Sequence, residues 1–305
     1  SKEMLEPLEA NRGKPLPTTI FEDLPERPLD AIVITYPWDL IRLNGSEIAS
    51  DFETVKDSPS ETKAPDGVHL ISPDAIRLGR DVAISPGVVI DASDGPVFLD
   101  DGAVIMPNVS LKGPLYVGKQ SIIKMGATIY GETSIGPVSK VGGEVAESII
   151  QGYSNKQHGG FLGHSYLGEW VNIGAGTNTS DMKNNYSPVR VTIGGKAIDT
   201  GELFVGLFMG DHSKCGIGTV FNTGTVVGVC CNIFGAGYPP KYIPSFCWGG
   251  ASGFTEHDLE KALETAHRAM GRRKRELSDA DRALLTHIFE TTSKERSEFL
   301  QAHRQ

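Results

Sequence analysis

Aliphatic side chains recur at every sixth position of this sequence, and this period constrains the fold more than any other feature. The longest unbroken run is Leu99, Ile105, Leu111, Val117, Ile123, Ile129, Ile135 and Val141. The same spacing appears in three further groups: Leu70, Ile76, Val82 and Val88; Phe161, Leu167 and Ile173; and Cys215, Phe221, Val227 and Ile233. A helix repeats every 3.6 residues and a simple strand every two, so neither accounts for this period.

A parallel β-helix does account for it. Each six-residue unit supplies a short strand and a turn, and three units close a triangular coil with the aliphatic side chain inside. Glycine follows many of the aliphatic positions, as in Val117-Gly118 and Ile135-Gly136, where tight turns favour it. We therefore predict a mainly β fold, with a β-helix over residues 68–250.

The two ends of the chain differ from this repeat. Residues 1–67 are rich in proline and charge, with one apolar run at residues 31–35, and are predicted to form a small α+β segment with a linker over residues 49–67. Residues 251–305 are predicted to form a helical cap on the open end of the coils. Thr255 with Asp258, and Ser278 with Asp281, have the spacing of helix capping boxes.

Composition excludes several classes of protein. A formal net charge of −9 disfavours a nucleic-acid binder, so the predicted partners are a small molecule and further copies of the chain. No apolar run reaches the ~20 residues of a membrane span, and no secretory signal is recognisable. The four cysteines lack ligand spacing and predict reduced thiols in a cytoplasmic protein, with no metal expected.

The six-residue rhythm breaks between Val141 and Phe161 and again between Asn178 and Val189, and such breaks in a repeat form loops that carry function. Three histidines lie near these breaks: His158, His164 and His212. Imidazole serves as a general base near neutral pH. His158 stands among glycines and polar residues, an open setting that suits a base, whereas a structural role stays open for His164.

Two further interpretations stay open, one for a metal site and one for a basic segment. A zinc site built from three histidines, as in β-helix carbonic anhydrases, lacks the close histidine pair that such sites use, and is the third hypothesis for function. The basic run Arg272–Arg275 is either a solvated segment or a contact for ligand phosphates.

The stretch NKQHGGFLGHSYLGEWVNIGAGT, continuing into NTSDMKNNY, resembles the acetyltransferase half of the bifunctional N-acetylglucosamine-1-phosphate uridyltransferase/glucosamine-1-phosphate acetyltransferases. Of the two, the closer likeness is to a divergent bacterial branch of sugar nucleotidyltransferases, and the likeness covers roughly residues 68–250. YPWDLIRLN, at residues 36–44, resembles the segment that joins an upstream nucleotidyltransferase domain to the β-helix in that branch.

The resemblance implies left-handed coils, a homotrimer with active sites between subunits, acetyl-CoA as donor and a glucosamine-1-phosphate-like acceptor in nucleotide-sugar synthesis. Counting back from the shared VNIGAGT, it implies these roles: His158 as catalytic base; Glu144, Asn172 and Asp181 as substrate contacts; and Leu207 and Thr223 as donor contacts. Lys183 and His164 are added as substrate-binding candidates, and Lys241 as a contact for the phosphates of coenzyme A.

Two positions depart from the family pattern. Phe161 stands where the family has a tyrosine, and Ala146 where it has a lysine that contacts substrate. These departures motivate the alternative that the chain is a non-catalytic, trimerising β-helix module of a sugar-phosphate nucleotidyltransferase. No glycine-rich phosphate loop opens a nucleotide-binding domain in this sequence, so nucleotidyltransferase activity is not predicted for this segment alone.

Overall fold

A computed structural model describes Thr19 and residues 28–304. The chain divides into two units, Ser1–Thr35 and Tyr36–Gln305. In the first unit, residues 28–35 form neither helix nor strand, and the apolar run at 31–35 is exposed. The predicted α+β character of residues 1–67 is wrong for the described part from residue 28 to residue 67, where the only regular element is a helix, α1 (Pro37–Glu53).

Short parallel strands stack into three faces that enclose one interior. The first face contains β1 (His69–Ile71), β4 (Val89–Asp91), β7 (Ser110–Lys112), β10 (Thr128–Ile129), β13 (Glu144–Ala146) and β16 (Phe161–Gly163), followed by the pair β18 (Asn178–Thr179) and β23 (Val220–Phe221). The second face contains β2 (Ile76–Leu78), β5 (Val97–Leu99), β8 (Leu115–Val117), β11 (Thr133–Ile135), β14 (Ile149–Gly152), β17 (Tyr166–Glu169), β21 (Leu207–Met209), β24 (Thr225–Val227) and β26 (Tyr242–Ile243).

The third face is continuous from one end of the coils to the other. It contains β3 (Ala83–Ile84), β6 (Val104–Ile105), β9 (Ile122–Ile123), β12 (Lys140–Val141), β15 (Asn155–Lys156), β22 (Lys214–Cys215), β25 (Asn232–Ile233) and β27 (Cys247–Gly250), with β28 (Gly253–Glu256) antiparallel to β27. Single bridges from Asn172 to Asn155 and to Lys214 join the two halves of this face. The fold is the left-handed parallel β-helix that the sequence predicts.

The six-residue period fills the interior. All eight aliphatic side chains of the long run are at most 2% exposed, and they belong to one continuous hydrophobic cluster. The prediction fails at Phe161, which is half-buried, while Leu162 points inward and pairs with Val145 of the coil before. The reason is a change in coil length: these partners are 17 positions apart, whereas Leu111 and Ile129 are 18 apart.

Helix α1 lies against the second face and spans the start of the predicted linker. Its Asn44 side chain donates a hydrogen bond from Nδ2 to the Glu132 carbonyl at 2.7 Å and accepts one from the Ser134 hydroxyl at 2.7 Å. The second break in the repeat is followed directly by an antiparallel hairpin, β19 (Arg190–Ile193) and β20 (Lys196–Asp199). Trp38 and Ile41 of α1 share a small core with this hairpin, so two segments distant in sequence build one wall on this face.

The C-terminal part contains α2 (Leu259–Gly271), α3 (Asp279–Thr291) and α4 (Ser293–Ala302). The sheet ends at Glu256, six residues beyond the predicted end of the β-helix. Asp258, and not Thr255, caps α2 by accepting a hydrogen bond from the Lys261 amide, because Thr255 is part of β28. The capping box of Ser278 and Asp281 on α3 is confirmed.

Two further sequence expectations concern the cysteines and membrane-spanning helices. All four cysteines are buried free thiols. Among the residues that the structure describes, no helix has the length and apolar character of a membrane span.

Candidate functional site

Three polar residues project from successive coils at the corner between the first and second faces. Glu132, Glu147 and His164 have φ angles of 53°, 46° and 44°, a left-handed conformation that few non-glycine residues adopt. The coils hold them in register, because the Glu147 amide donates to the Gly131 carbonyl and the His164 amide to the Ala146 carbonyl. The result is a column of outward side chains at one corner.

His164 is held between two carboxylates. Its Nε2 atom lies 2.5 Å from Glu147 Oε2, and its Nδ1 atom lies 2.9 Å from Asp181 Oδ2. Asp181 belongs to the loop after β18, which is fixed because the Val205 amide donates to the Asp181 carbonyl at 2.8 Å. The ring of Phe204 stacks on the imidazole with the ring centres 5.0 Å apart. Both ring nitrogens therefore have acceptors for a proton.

The next coil supports the His164 backbone directly. The Gly206 amide donates to the His164 carbonyl at 2.9 Å. A side chain at Gly206 would collide with the carbonyl oxygen of Gly163, so this close approach requires glycine. The position of the imidazole is thus set by contacts from coils on both sides of it.

The surroundings favour the charged form of the imidazole. Burial by itself would lower the pKa of His164, but the hydrogen bonds and charges of Asp181 and Glu147 outweigh it and raise the pKa to about 9. At neutral pH the ring is an imidazolium that donates to both carboxylates. The ring becomes a proton acceptor only when one of these carboxylates moves away from its ring nitrogen or when the pH rises.

An acidic pocket of about 230 Å³ opens beside His164. Its lining residues are Trp38, Ile41, Arg42, Glu132, Glu147, His164, Glu202, Phe204 and Val205. Helix α1 contributes Arg42, whose nearest carboxylate oxygens, on Asp39 and Glu202, are 3.9 and 4.0 Å away. Carboxylates outnumber the cations, so the pocket attracts a positively charged group such as a protonated amine.

A lysine cleft of about 610 Å³ lies on the other side of the loop that carries Asp181. It is lined by Ser180, Met182, Lys183, Asn184, Asn185, Asn222, Thr223, Tyr238 and Lys241. Lys241 donates from Nζ to the Thr223 hydroxyl at 3.2 Å, and Lys183 donates to the Pro188 carbonyl at 2.6 Å. Burial, and then the charge of Lys183, lower the pKa of Lys241. Two cations and several amides make this cleft suitable for an anion.

The structure brings several of the predicted site residues together. His164 and Asp181 meet beside the acidic pocket, while Lys183, Thr223 and Lys241 meet in the lysine cleft. Because Asp181 lies between Ser180 and Met182, which line the cleft, one short loop borders both sites.

Other predicted residues lie elsewhere. His158 is exposed, and among the described residues its ring forms no hydrogen bond or ion pair. Glu144 is exposed on the first face, and Asn172 lies on the third face, away from the corner with His164. Leu207 is 0% exposed inside the coil, so a donor could contact only its backbone, and its role as a donor contact stays a prediction.

Lys156 occupies an interior position and pairs with Val141 on the third face. It is 2% exposed, and Nζ donates to the carbonyls of Gly142 at 2.8 Å, Gly160 at 2.6 Å and His158 at 3.3 Å. Burial lowers the pKa of Lys156 to about 8 in spite of the nearby Glu144 charge. Through these three hydrogen bonds, Lys156 holds the backbone together within the first break in the repeat.

The sequence analysis missed Glu147, Glu202, Arg42 and Phe204. Glu147 precedes His164 by 17 positions, close to one turn of the coil, and a search for acidic residues one coil before each histidine would have found it. Arg42 and Glu202 reach the pocket from distant segments, and no local signal marks them. Among the described residues, no group of three or more His, Cys, Asp or Glu side chains is arranged to hold a metal ion.

Comparison with known proteins gives two informative relatives. The chain is 32% identical over 163 residues to a bifunctional sugar-1-phosphate nucleotidylyltransferase/acetyltransferase of Sulfurisphaera tokodaii, covering 47% of this chain and 41% of that protein. It is 30% identical over 148 residues to the bifunctional protein GlmU of Methanocaldococcus jannaschii, covering 48% and 30%. Over these segments the chain is similar to GlmU-type bifunctional enzymes. It matches less than half the length of these GlmU-type relatives.

No protein-family model matches the chain. Among solved structures, an Arabidopsis UDP-N-acetylglucosamine acyltransferase is 15% identical, with coverage of 78% of this chain and 95% of that one and a TM-score of 0.41.

Proposed function

We propose that the chain is an acetyl-CoA-dependent N-acetyltransferase that acts on the amine of an amino-sugar phosphate. The observation that carries the proposal is the arrangement of His164 between Glu147 and Asp181, at the mouth of an acidic pocket and next to the lysine cleft. The relationship to GlmU-type enzymes supports acyl transfer as the reaction class. We assign the base to His164 in place of His158, because only His164 has partners that orient its ring.

The proposed reaction begins with the acceptor ammonium, which the carboxylates of the acidic pocket attract. Glu147 is 44% exposed and is free to turn away from Nε2, while Asp181 keeps the ring in place from Nδ1. The Nε2 proton is lost to solvent as Glu147 turns away, and the neutral Nε2 then removes one proton from the acceptor ammonium. The resulting amine attacks the thioester carbonyl carbon, the C–N bond forms and the C–S bond breaks, and the leaving thiolate takes up the second proton that the nitrogen loses, to give free coenzyme A.

The lysine cleft is the proposed place for the phosphates of coenzyme A. Lys241 and Lys183 supply the positive charge, and Thr223 holds the Lys241 side chain. In the acidic pocket, Arg42 is the cation that would receive the phosphate of the acceptor, since its contacts to carboxylates are long. A homotrimer with sites between subunits remains a prediction, as do substrate contacts by Glu144 and Asn172.

The test measures free thiol released from acetyl-CoA by the 305-residue chain, with glucosamine-1-phosphate and glucosamine as acceptors. The proposal expects thiol release that requires the amine and a product that carries one acetyl group by mass spectrometry. Binding of coenzyme A without thiol release, across both amines and a pH series, would contradict catalysis. Absence of any coenzyme A binding would favour the alternative of a non-catalytic β-helix module.

A further inference from the structure

A second charged cleft lies on the third face, between the coils and the turn that follows α2. Its floor follows one ladder of paired residues: Lys140 pairs with Asn155, Asn155 with Asn172, and Asn172 with Lys214. Neighbouring strands are about 4.8 Å apart, so this ladder extends over about 14 Å. Its two ends are cationic, and its middle presents two side-chain amides.

Arg272 and Arg273 border this cleft, which has a volume of about 340 Å³ and which we call the arginine cleft. Arg273 donates from Nη2 to Asn155 Oδ1 at 2.8 Å, and Arg275 donates to the Tyr153 hydroxyl at 2.9 Å. These contacts fix the basic turn against the third face. The segment is therefore held at the coils and is not simply solvated.

No carboxylate of residues 28–304 lines the arginine cleft. Among the described residues, none of its cations, Lys140, Lys214, Arg272 or Arg273, forms an ion pair. Four positive side chains thus converge on one concave surface without a neutralising partner in the described part of the chain.

This convergence has an electrostatic cost. Burial first, and then the charges of Arg273, Lys124 and Arg272, lower the pKa of Lys140. Burial and the charge of Arg272 lower the pKa of Arg273. An anion in the cleft would relieve this repulsion, and guanidinium and ammonium groups together are the usual partners of phosphate.

We propose that the arginine cleft binds a phosphorylated small molecule of about the length of a nucleoside diphosphate. Its phosphates contact Arg272 and Lys140, and the amides of Asn155 and Asn172 contact the remainder of the molecule. The arginine cleft lies on a different face from His164, and it includes Asn172, which the family resemblance implies as a substrate contact. Of the two interpretations of the basic run, the proposal adopts ligand contact, through Arg272.

Isothermal titration calorimetry on the 305-residue chain tests this proposal, with ADP and inorganic pyrophosphate as probes at one fixed salt concentration. The variants are Arg272→Gln and Lys140→Gln, whose side chains form no hydrogen bond to any residue that the structure describes. The matched control is Arg268→Gln, an exposed arginine in the last turn of α2 that pairs with Glu264 at 2.5 Å and does not line the cleft.

We expect each cleft variant to raise the Kd of ADP about tenfold or more, and the control to change it by less than about twofold. Tighter binding of ADP than of pyrophosphate would support contacts of the amides to the nucleoside, and equal binding would support a site for the phosphates alone. The proposal is overturned if neither probe binds the wild-type chain, or if Arg268→Gln weakens binding as much as Arg272→Gln.

Discussion

Replacing Glu147 by glutamine tests how the two carboxylates control His164. The pKa of His164 is about 9 against an ordinary value of 6.5, although burial opposes this rise. Asp181 and Glu147 together therefore supply more than the whole difference. Glu147 is partly exposed, which weakens its share through solvent screening. We expect Glu147→Gln to lower the titration midpoint of His164 by at least about one pH unit, or about 1.4 kcal/mol.

The assay follows the His164 Cε1 proton resonance by NMR across a pH series, with the resonance assigned from the spectrum of His164→Asn. Asp181→Asn is expected to lower the midpoint at least as far, since Asp181 is less exposed than Glu147. Glu202→Gln is the control, because Glu202 lines the pocket without contacting the imidazole. An unchanged midpoint in Glu147→Gln, or a wild-type midpoint near 6.5, would refute the reasoning.

Three further outcomes are expected. The folded-state pKa of His164 is raised, so the charged imidazole stabilises the fold fully below about pH 6.5, and this stabilisation is lost as pH rises through about 9. The difference in unfolding free energy between wild type and His164→Asn, measured in urea, should therefore shrink over that range. Lys156→Met should lower the free energy of unfolding in urea by about 2–5 kcal/mol, because it leaves buried carbonyls without a hydrogen-bond donor. An unchanged free energy of unfolding would show that these carbonyls find other donors. Ile135→Ala should lower the free energy of unfolding by about 2–5 kcal/mol, whereas Ile217→Ala, at a side chain that is 82% exposed, should lower it by less than about 0.5 kcal/mol. Equal losses would contradict the placement of Ile135 in the interior of the coil.

The period of six predicted the architecture because one rule governs every coil. An aliphatic side chain at each sixth position has the same interior neighbours wherever it occurs, so the pattern needs no long-range information. The prediction failed at Phe161, where the coil length changes and Leu162 takes the interior position. A purely local period cannot report such a change.

The site was harder to predict because its parts come from distant segments. Glu147 reaches His164 from one coil before, through a coil of 17 residues, and α1 brings Arg42 to the pocket from more than 100 positions away. Counting residues back from VNIGAGT places the catalytic histidine at His158 only if this chain has the same coil lengths as the family. The structure instead surrounds His164 with the carboxylates, one of which, Asp181, the sequence had already marked as a substrate contact.

The central claim is that His164 is the base of an acetyltransferase, and a comparison of two histidine variants tests it most directly. His164→Gln and His158→Gln are to be assayed side by side for thiol release from acetyl-CoA with glucosamine-1-phosphate, after circular dichroism shows that both fold. The account predicts a loss of about 100-fold or more in kcat for His164→Gln and near wild-type kcat for His158→Gln. Full activity in His164→Gln, or a comparable loss confined to His158→Gln, would contradict it.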